Sequence, residues 1–155
     1  MTSPLQNLEA IQPGLRGEVR LVVAEEHTAQ HLGSGAVKVL ATPQMVLLME
    51  WAGVAAVDHL LPDGFCTVGA HLDVRHLAPT PVGFQVRATA ELLEVDGRRL
   101  TFRVAVYEET SGGSHDNPAD QPQLVGEGMH QRAIIDVQRF SDRVAQKAAA
   151  ASADS

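Results

Sequence analysis

Several features are scarce in this sequence, and each scarcity excludes a class of protein. The single cysteine, Cys66, rules out an internal disulfide and fits a reducing compartment, so we expect a cytoplasmic protein. No run of about 18 apolar residues is present, which predicts that no helix spans a membrane. Residues 1–13 lack the basic start and the apolar stretch of a secretory signal. Aromatic residues make up only 4% of the chain, so we expect a core of Val, Leu, Ala and Met.

Basic charge and metal-binding motifs are also missing. The formal net charge of −7 argues against a nucleic-acid partner, which needs a basic surface. The seven histidines form no HExxH motif and no zinc-finger spacing with the lone cysteine. The sequence also contains no glycine-rich phosphate loop and no GxSxG motif. We therefore expect no metal and no bound cofactor.

What is present predicts one α+β domain. The length of 155 residues suits a single domain, which we place at 14–140, with flexible termini at 1–13 and 141–155. The alanine-rich tail from Gln146 to Ser155 is expected to be frayed helix or disorder. Glu18 to Val23 is predicted as a first strand. Thr42-Pro43 is a strong helix-start signal, and Gln44 to Leu61 has apolar residues on every side, which is typical of a buried helix. One sheet cannot bury the whole apolar surface of such a helix. A second subunit is the simplest way to bury the rest.

Everything after the helix is predicted as strand. The alternating runs are Thr67 to His76, Phe84 to Val95, Arg98 to Glu109 and Leu124 to Val137. Asp96-Gly97 is the residue pair favoured in a type I′ hairpin turn. The segment from Ser111 to Gln121 is rich in Gly, Ser, Asn, Asp and Pro, and predicts a mobile loop. This order fits a long helix wrapped by a curved antiparallel sheet of about five strands.

Alternation assigns faces to two of these strands. On the strand after the helix, one face should carry Val68, Ala70, Leu72, Val74 and His76, and this face should turn toward the helix. On the last strand, the apolar face should carry Val125, Met129, Ala133, Ile135 and Val137. His130 and Arg132 then share the opposite side.

Glu50 is the most informative single residue. Only Glu50 and Asp58 carry formal charge inside the apolar helix. Burying a carboxylate costs several kcal/mol unless it is paired or hydrogen-bonded. Two interpretations stay open: Glu50 emerges at a helix edge or bonds a backbone group, or it acts as a general base, a nucleophile or a group that orients water.

Three further residues are candidates for the same chemistry. His76 on the face turned toward the helix is either a structural histidine or a base. Thr42 is expected to cap the helix, where its hydroxyl also lies at the positive end of the helix dipole. Gly69 within a strand indicates either a bulge or a close approach of ligand, with its amide as an oxyanion donor. Thr42 and Glu50 are separated by about 12 Å of helix, so a shared substrate carbonyl would need the substrate or a second subunit to bridge them.

The combined pattern resembles the hotdog thioesterases of the fluoroacetyl-CoA thioesterase type. The likeness is carried by Val39-Leu40-Ala41-Thr42-Pro43, Leu48-Met49-Glu50, Thr67-Val68-Gly69, Val74-Arg75-His76 and Gly126 to Arg132. It implies a homodimer, alone or paired as a dimer of dimers, with acyl-CoA as substrate and CoA present only as part of it. It also implies that Thr42, Glu50 and His76 are catalytic, that Gly69 binds the thioester oxygen and that Arg132 lies near the ligand.

The resemblance leaves the acyl group and the nucleophile open. The segment from His31 to Ala36, where such enzymes carry a cover over the substrate, contains no Phe, so selectivity for fluoroacetyl groups is not implied. Thr42 and Glu50 are both candidates for the nucleophile. The leading hypothesis is a thioesterase for small or short-chain acyl-CoA. The alternatives are a hotdog hydratase or dehydratase acting on 3-hydroxyacyl thioesters, and a non-catalytic acyl-CoA-binding protein.

Overall fold

A computed structural model describes residues 8–109 and 121–153. Its regular elements, in chain order, are β1 (Arg16–Val22), α1 (Ala29–Leu32), α2 (Thr42–Val57), β2 (Phe65–His76), β3 (Gln85–Asp96), β4 (Arg99–Glu109), β5 (Gln123–Asp136) and α3 (Val137–Ala153). Single 3₁₀ turns lie at Glu25–His27 and Asp58–Leu60. The predicted loop between the last two strands lies almost entirely outside the described residues. None of the described helices is long and apolar enough to cross a membrane.

The five strands form one antiparallel sheet around the long helix α2. Their order is β1-β3-β4-β5-β2, so β1 and β2 are the two edges. This is the hotdog architecture expected from the sequence. Strand β2 follows the helix in the chain, yet it pairs with the last strand rather than with β1. The twelve-residue strand β2 therefore has no described strand paired with one of its two sides.

The core lies between one face of α2 and the concave face of the sheet. It is aliphatic, as the low aromatic content predicts, and Phe102 is its one fully buried aromatic side chain among the described residues. The buried helix residues are Met45, Leu48, Met49, Ala52, Gly53, Ala56 and Val57. Leu47 and Trp51 on the other side of α2 are 37% and 44% exposed, so one chain covers only part of the apolar helix.

Close approach of β1 to α2 depends on a missing side chain. A Cβ at Gly17 would overlap the carbonyl oxygen of Ala52 and the amide of Ala56 on the helix backbone. Glycine at this position lets the helix lie directly on the edge strand. The position of α2 against the sheet, and hence the position of every side chain on it, depends on this contact.

Three local predictions differ from the structure. The hairpin between β3 and β4 is present, but only Gly97 has a positive φ, of 58°, whereas a type I′ turn needs positive φ at both central residues. Ile11 is buried, so the packed chain begins before Gly14. The C-terminal tail, predicted as frayed helix or disorder from Gln146, belongs to helix α3, which begins earlier, at Val137, and extends to Ala153 with no buried residue.

Candidate active site

Thr42 and His76 form the first of two polar clusters. Thr42 Oγ1 lies 2.7 Å from His76 Nδ1, at the point where α2 begins and β2 ends. The sequence predicted that Thr42 caps the helix, and this is wrong: Ala41 is the capping residue, and no side-chain cap bond is made. The Thr42 hydroxyl is one residue inside the helix and is free to bond the histidine.

His76 is suited to accept the hydroxyl proton. Burial lowers the pKa of His76 below its ordinary value of 6.5, and the backbone of Ala78 offsets part of that shift. The imidazole is therefore neutral at neutral pH, and in the tautomer that carries its proton on Nε2 the lone pair of Nδ1 accepts a hydrogen bond from the Thr42 hydroxyl. The other ring nitrogen, Nε2, is buried and makes no well-formed hydrogen bond with any described residue. This hydroxyl–imidazole pair has the geometry of a nucleophile and its base.

An apolar pocket opens beside this pair. Its volume is about 360 Å³, and its lining includes Ala29, Gly35, Val37, Val39, Leu40, Thr42, His76 and Leu77. The segment between α1 and α2 supplies Gly35, Val37, Val39 and Leu40, which are small or aliphatic. A pocket of this size, beside a hydroxyl–imidazole pair, suits a short acyl chain.

Glu50 belongs to the second cluster, further along α2. Its carboxylate oxygen Oε2 lies 3.7 Å from NH1 of Arg132, and its side chain is 33% exposed while Arg132 is 5% exposed. A Cβ at Gly69 would lie 3.3 Å from the same oxygen, so the backbone of Gly69 faces the carboxylate. Glu50, Gly69 and Arg132 therefore lie against one another, and the space that they border on the exposed side of Glu50 is called the cleft below. The Glu50 carboxylate lies at the edge of the helix, where it is partly exposed, and is also paired with Arg132.

Arg132 is fixed by three hydrogen bonds on the inner face of β5. Its Nε donates to Thr67 Oγ1 at 2.7 Å and its NH2 to the Thr67 carbonyl at 3.0 Å. Its NH1 donates to His130 Nε2 at 3.1 Å. Thr67 in turn bonds the carboxylate of Asp58. Burial lowers the pKa of Arg132, and the charges of Asp58 and Glu50 oppose that shift.

His130 is held in one tautomer by its two neighbours. Its Nδ1 lies 2.9 Å from the carbonyl oxygen of His71, so Nδ1 carries the proton and donates. Its Nε2 is then the acceptor for Arg132. Burial lowers the pKa of His130, and the nearby charge of Arg132 acts in the same direction. A neutral, fully buried histidine thus anchors the guanidinium.

The structure brings the predicted site residues together in two groups. Thr42 contacts His76, and Glu50 contacts Arg132 beside Gly69. His76 does face α2 as predicted, but at the start of the helix rather than at Glu50. The two groups are separated by about 12 Å of helix, so within one chain they do not form a single site.

A β-bulge explains which residues of β2 face the helix. The pairing of β2 with β5 shifts between Gly69 and His71. Thr67 is buried and Gly69 faces Glu50, so the prediction that Val68 and Ala70 face the helix is wrong. After the extra residue, Val74 and His76 face inward as predicted. Strict alternation could not place Gly69 and His76 on the same face.

Sequence reasoning gave no role to Asp58, Thr67 or His130. Asp58 was recognisable as one of two charges in the apolar helix, and His130 as the residue that shares a strand side with Arg132. That side was predicted to point away from the core, and the structure shows the reverse: His130 and Arg132 are buried, whereas Met129 is 36% exposed. In the described part of the chain, no group of three or more His, Cys, Asp or Glu side chains has the geometry of a metal site.

Comparison with known proteins assigns the chain to a family. The FlK family, described as fluoroacetyl-CoA-specific thioesterase, matches residues 23–138. The chain belongs to this family. A curated fluoroacetyl-CoA thioesterase from Streptantibioticus cattleyicolor is 41% identical over 110 residues, which cover 71% of this chain and 70% of the relative. The resemblance inferred from the sequence is thereby confirmed.

Solved structures agree with this assignment. A variant of the fluoroacetyl-CoA enzyme FlK, in complex with acetyl-CoA, superposes with a TM-score of 0.74 at 36% identity, covering 88% of this chain and 98% of that one. A thioesterase superfamily member from Thermus thermophilus gives a TM-score of 0.79 at 26% identity, covering 92% and 97%. The hotdog fold of this thioesterase-family chain is thus supported by both sequence and structure.

Proposed function

We propose that this protein is a thioester hydrolase that cleaves acyl-CoA with a small or short acyl group into the free acid and CoA. The observation that carries the proposal is the 2.7 Å contact between Thr42 Oγ1 and His76 Nδ1 beside an apolar pocket, in a member of the fluoroacetyl-CoA-specific thioesterase family. The 41% identical relative is itself a thioesterase, which supports the same reaction here. CoA enters as part of the substrate, and the mechanism uses no other cofactor.

In this mechanism Thr42, His76 and Glu50 act on the thioester carbonyl. In one route the Thr42 oxygen attacks the carbonyl carbon while His76 takes the hydroxyl proton and passes it to the leaving CoA thiolate, and a water oriented by Glu50 then hydrolyses the acyl ester on Thr42. The backbone amide of Gly69 donates to the oxyanion that forms at the carbonyl oxygen. In the other route the Glu50 carboxylate attacks the carbonyl carbon, the CoA thiolate leaves, and water hydrolyses the resulting mixed anhydride while His76 moves a proton from that water to the thiolate. In a single turnover in ¹⁸O-labelled water, unlabelled acid would establish attack by Glu50 followed by hydrolysis at the Glu50 carbonyl.

A second copy of the chain completes the site in this proposal. Thr42 and His76 lie about 12 Å along the helix from Glu50, too far for one small acyl group to bridge within a chain. Strand β2 carries both Gly69 and His76, and its unpaired edge is a ready surface for another strand. A homodimer joined there brings Glu50 and Gly69 of one copy toward Thr42 and His76 of the other. Pairing of two such dimers and a cytoplasmic location stay predictions.

The first experiment follows thiol release from acetyl-, propionyl-, butyryl- and fluoroacetyl-CoA. We expect saturable hydrolysis that is lost in His76→Ala and Glu50→Gln. His59→Ala, which removes an exposed histidine just beyond α2, is the matched control and should keep wild-type turnover. Thermal stabilisation by acyl-CoA without thiol release would instead indicate a binding protein. Loss of enoyl absorbance from crotonyl-CoA without thiol release would indicate a hydratase.

Subunit complementation tests the shared site. His76→Ala and Glu50→Gln homodimers should each be inactive. If each site combines residues of two chains, mixing and subunit exchange create heterodimers with one intact site, and activity returns. A mixture that exchanges subunits and stays inactive would show that each chain supplies a complete site.

A further inference from the structure

Asp58 carries a negative charge at an unfavourable position in the fold. It is the residue that ends α2, and the carboxyl end of a helix dipole disfavours negative charge. Its carboxylate turns back toward β2 and accepts two hydrogen bonds from one residue. Thr67 Oγ1 donates to Oδ1 at 2.6 Å, and the Thr67 amide donates to Oδ2 at 3.2 Å.

These bonds determine the direction of the Thr67 hydroxyl. A threonine hydroxyl has one proton to donate and lone pairs with which to accept. A carboxylate can only accept, so the Thr67 proton points at Asp58. The lone pairs of Oγ1 then face Nε of Arg132, which can only donate, at 2.7 Å. Asp58 thereby makes Thr67 a fixed acceptor for the guanidinium.

The fixed guanidinium presents one group to the cleft. Its Nε and NH2 are bound to Thr67, and one proton of NH1 is bound to His130. NH1 carries one more proton, and this nitrogen lies 3.7 Å from Oε2 of Glu50. The same nitrogen would lie 3.6 Å from a Cβ at Gly69. The orientation of this N–H relative to Glu50 and the cleft therefore depends on the Asp58–Thr67 pair.

We propose that Asp58 and Thr67 are positioning residues for hydrolysis, acting through Arg132 on the Glu50 carboxylate. Neither touches substrate. The inference rests on the proposed function only in that Glu50 takes part in turnover, since the Asp58–Thr67–Arg132 chain of hydrogen bonds is a property of the fold. It assigns a role to the second charge of the apolar helix, which the thioesterase mechanism leaves without one.

Asp58→Asn is a sharp test because an amide cannot replace both acceptors. If its oxygen accepts from the Thr67 hydroxyl, its NH₂ group faces the Thr67 amide, and two donors meet. If the amide is flipped, its NH₂ group donates to one lone pair of Oγ1, and the buried hydroxyl proton loses its acceptor and must turn away from residue 58. The first arrangement opposes two donors, and the second leaves a buried donor without its partner. We expect kcat to fall about tenfold, the scale of a hydrogen bond to a charged group, with KM for acyl-CoA little changed.

Matched variants separate positioning from folding. Thr67→Val removes the hydroxyl at nearly constant shape and should reproduce the loss in kcat. Thr67→Ser keeps the hydroxyl and should restore most of the activity. The control is Asp63→Asn, which removes the same charge from an exposed residue five positions further along. Asp58→Asn and Thr67→Val combined should cost no more than either alone, because both break one chain of bonds.

Two readouts decide the inference. In a Glu50→Gln background, Asp58→Asn should cause no further loss in the residual rate, whereas a general folding defect would persist there. Independently of turnover, the Nε–H of Arg132 should be protected from hydrogen exchange in the wild type and lose protection in Thr67→Val, which removes its acceptor. If wild-type protein hydrolyses acyl-CoA and both Asp58→Asn and Thr67→Val keep its kcat, the positioning role is wrong and the proposed function stands.

Discussion

Replacing Gly69 with alanine should abolish most of the activity while leaving the fold intact. An added Cβ would lie 3.3 Å from Glu50 Oε2, 3.5 Å from His130 Cε1 and 3.6 Å from Arg132 NH1. The last two distances are ordinary van der Waals contacts. The first is tight by a few tenths of an ångström, and a partly exposed carboxylate moves that far at little cost. The φ of Gly69 is not positive, so alanine adopts the same backbone without strain.

The effect of Gly69→Ala on stability should therefore be small. Alanine loses less conformational entropy on folding than glycine, worth about 0.5–1 kcal/mol in favour of the variant. The tight contact with Glu50 offsets part of this gain. A net change within about 1 kcal/mol corresponds to a shift in melting temperature of about 2–4 °C for a chain of this size.

The effect on turnover should be much larger, because the methyl group occupies the cleft between Glu50 and Arg132. That cleft is where we propose that the thioester oxygen meets the Gly69 amide. A displacement of the reacting carbonyl by about 1 Å costs on the order of 100-fold in rate. We therefore expect kcat/KM for the best acyl-CoA substrate to fall about 100-fold.

Thiol release and thermal unfolding, measured on the same preparation, check both halves of this prediction. Gly69 lies on the edge strand where we propose that the dimer forms, so the oligomeric state must be checked as well. Size-exclusion chromatography should show the same oligomer as wild type. Near wild-type turnover in a folded Gly69→Ala protein would refute the placement of the reaction in this cleft. A loss of more than about 10 °C would instead refute the packing argument.

Close packing at Gly17 and the burial of two histidines lead to three more predictions. Gly17→Ala should lower the free energy of unfolding, measured in urea, by about 1–3 kcal/mol. The added Cβ would overlap the backbone of α2, so the helix must move away from β1. An unchanged urea midpoint would contradict that contact. The acid limb of kcat/KM should have its midpoint below pH 6.5, because burial lowers the pKa of His76 and keeps the base neutral as pH falls. A midpoint above 6.5 would exclude His76 as that base. The free energy of unfolding should fall as pH drops below 6.5, because burial lowers the pKa of His130 and the unfolded chain takes up the proton first; His130→Gln should flatten this dependence.

Much of the fold could be predicted because local pattern and tertiary structure agree. Thr42-Pro43 and the apolar run after it gave the position of α2, and alternation with Asp96-Gly97 gave the hairpin of β3 and β4. Helix α3 was predicted only in part: its alanine-rich end was expected as frayed helix or disorder, and its start at Val137 was missed. The helix has no buried residue, so no requirement of the core selects its sequence. Its second half is helical through the local propensity of alanine.

The candidate residues could be named from the sequence, but their partners could not. Thr42, Glu50 and His76 stood out because a hydroxyl, a carboxylate and an imidazole are costly or unusual where they occur. Which of them meet depends on the distance along α2 and on a single extra residue in β2. The bulge between Gly69 and His71 turns the first half of the strand over relative to the second. No periodicity in the sequence marks its position.

The same bulge is what lets one edge strand serve both clusters. Without it, a strand that points His76 at Thr42 would point Val68 and Ala70 at Glu50, and their side chains would fill the cleft. With it, Thr67 and Gly69 face inward: one is the acceptor for Arg132, and the other leaves backbone open beside the carboxylate. Inward-facing His130 and Arg132 on β5 follow from this arrangement, since Thr67 supplies two of the three bonds to the guanidinium. Polar residues at core positions break the hydrophobic pattern here because they build the cleft, and functional sites are where such departures are expected.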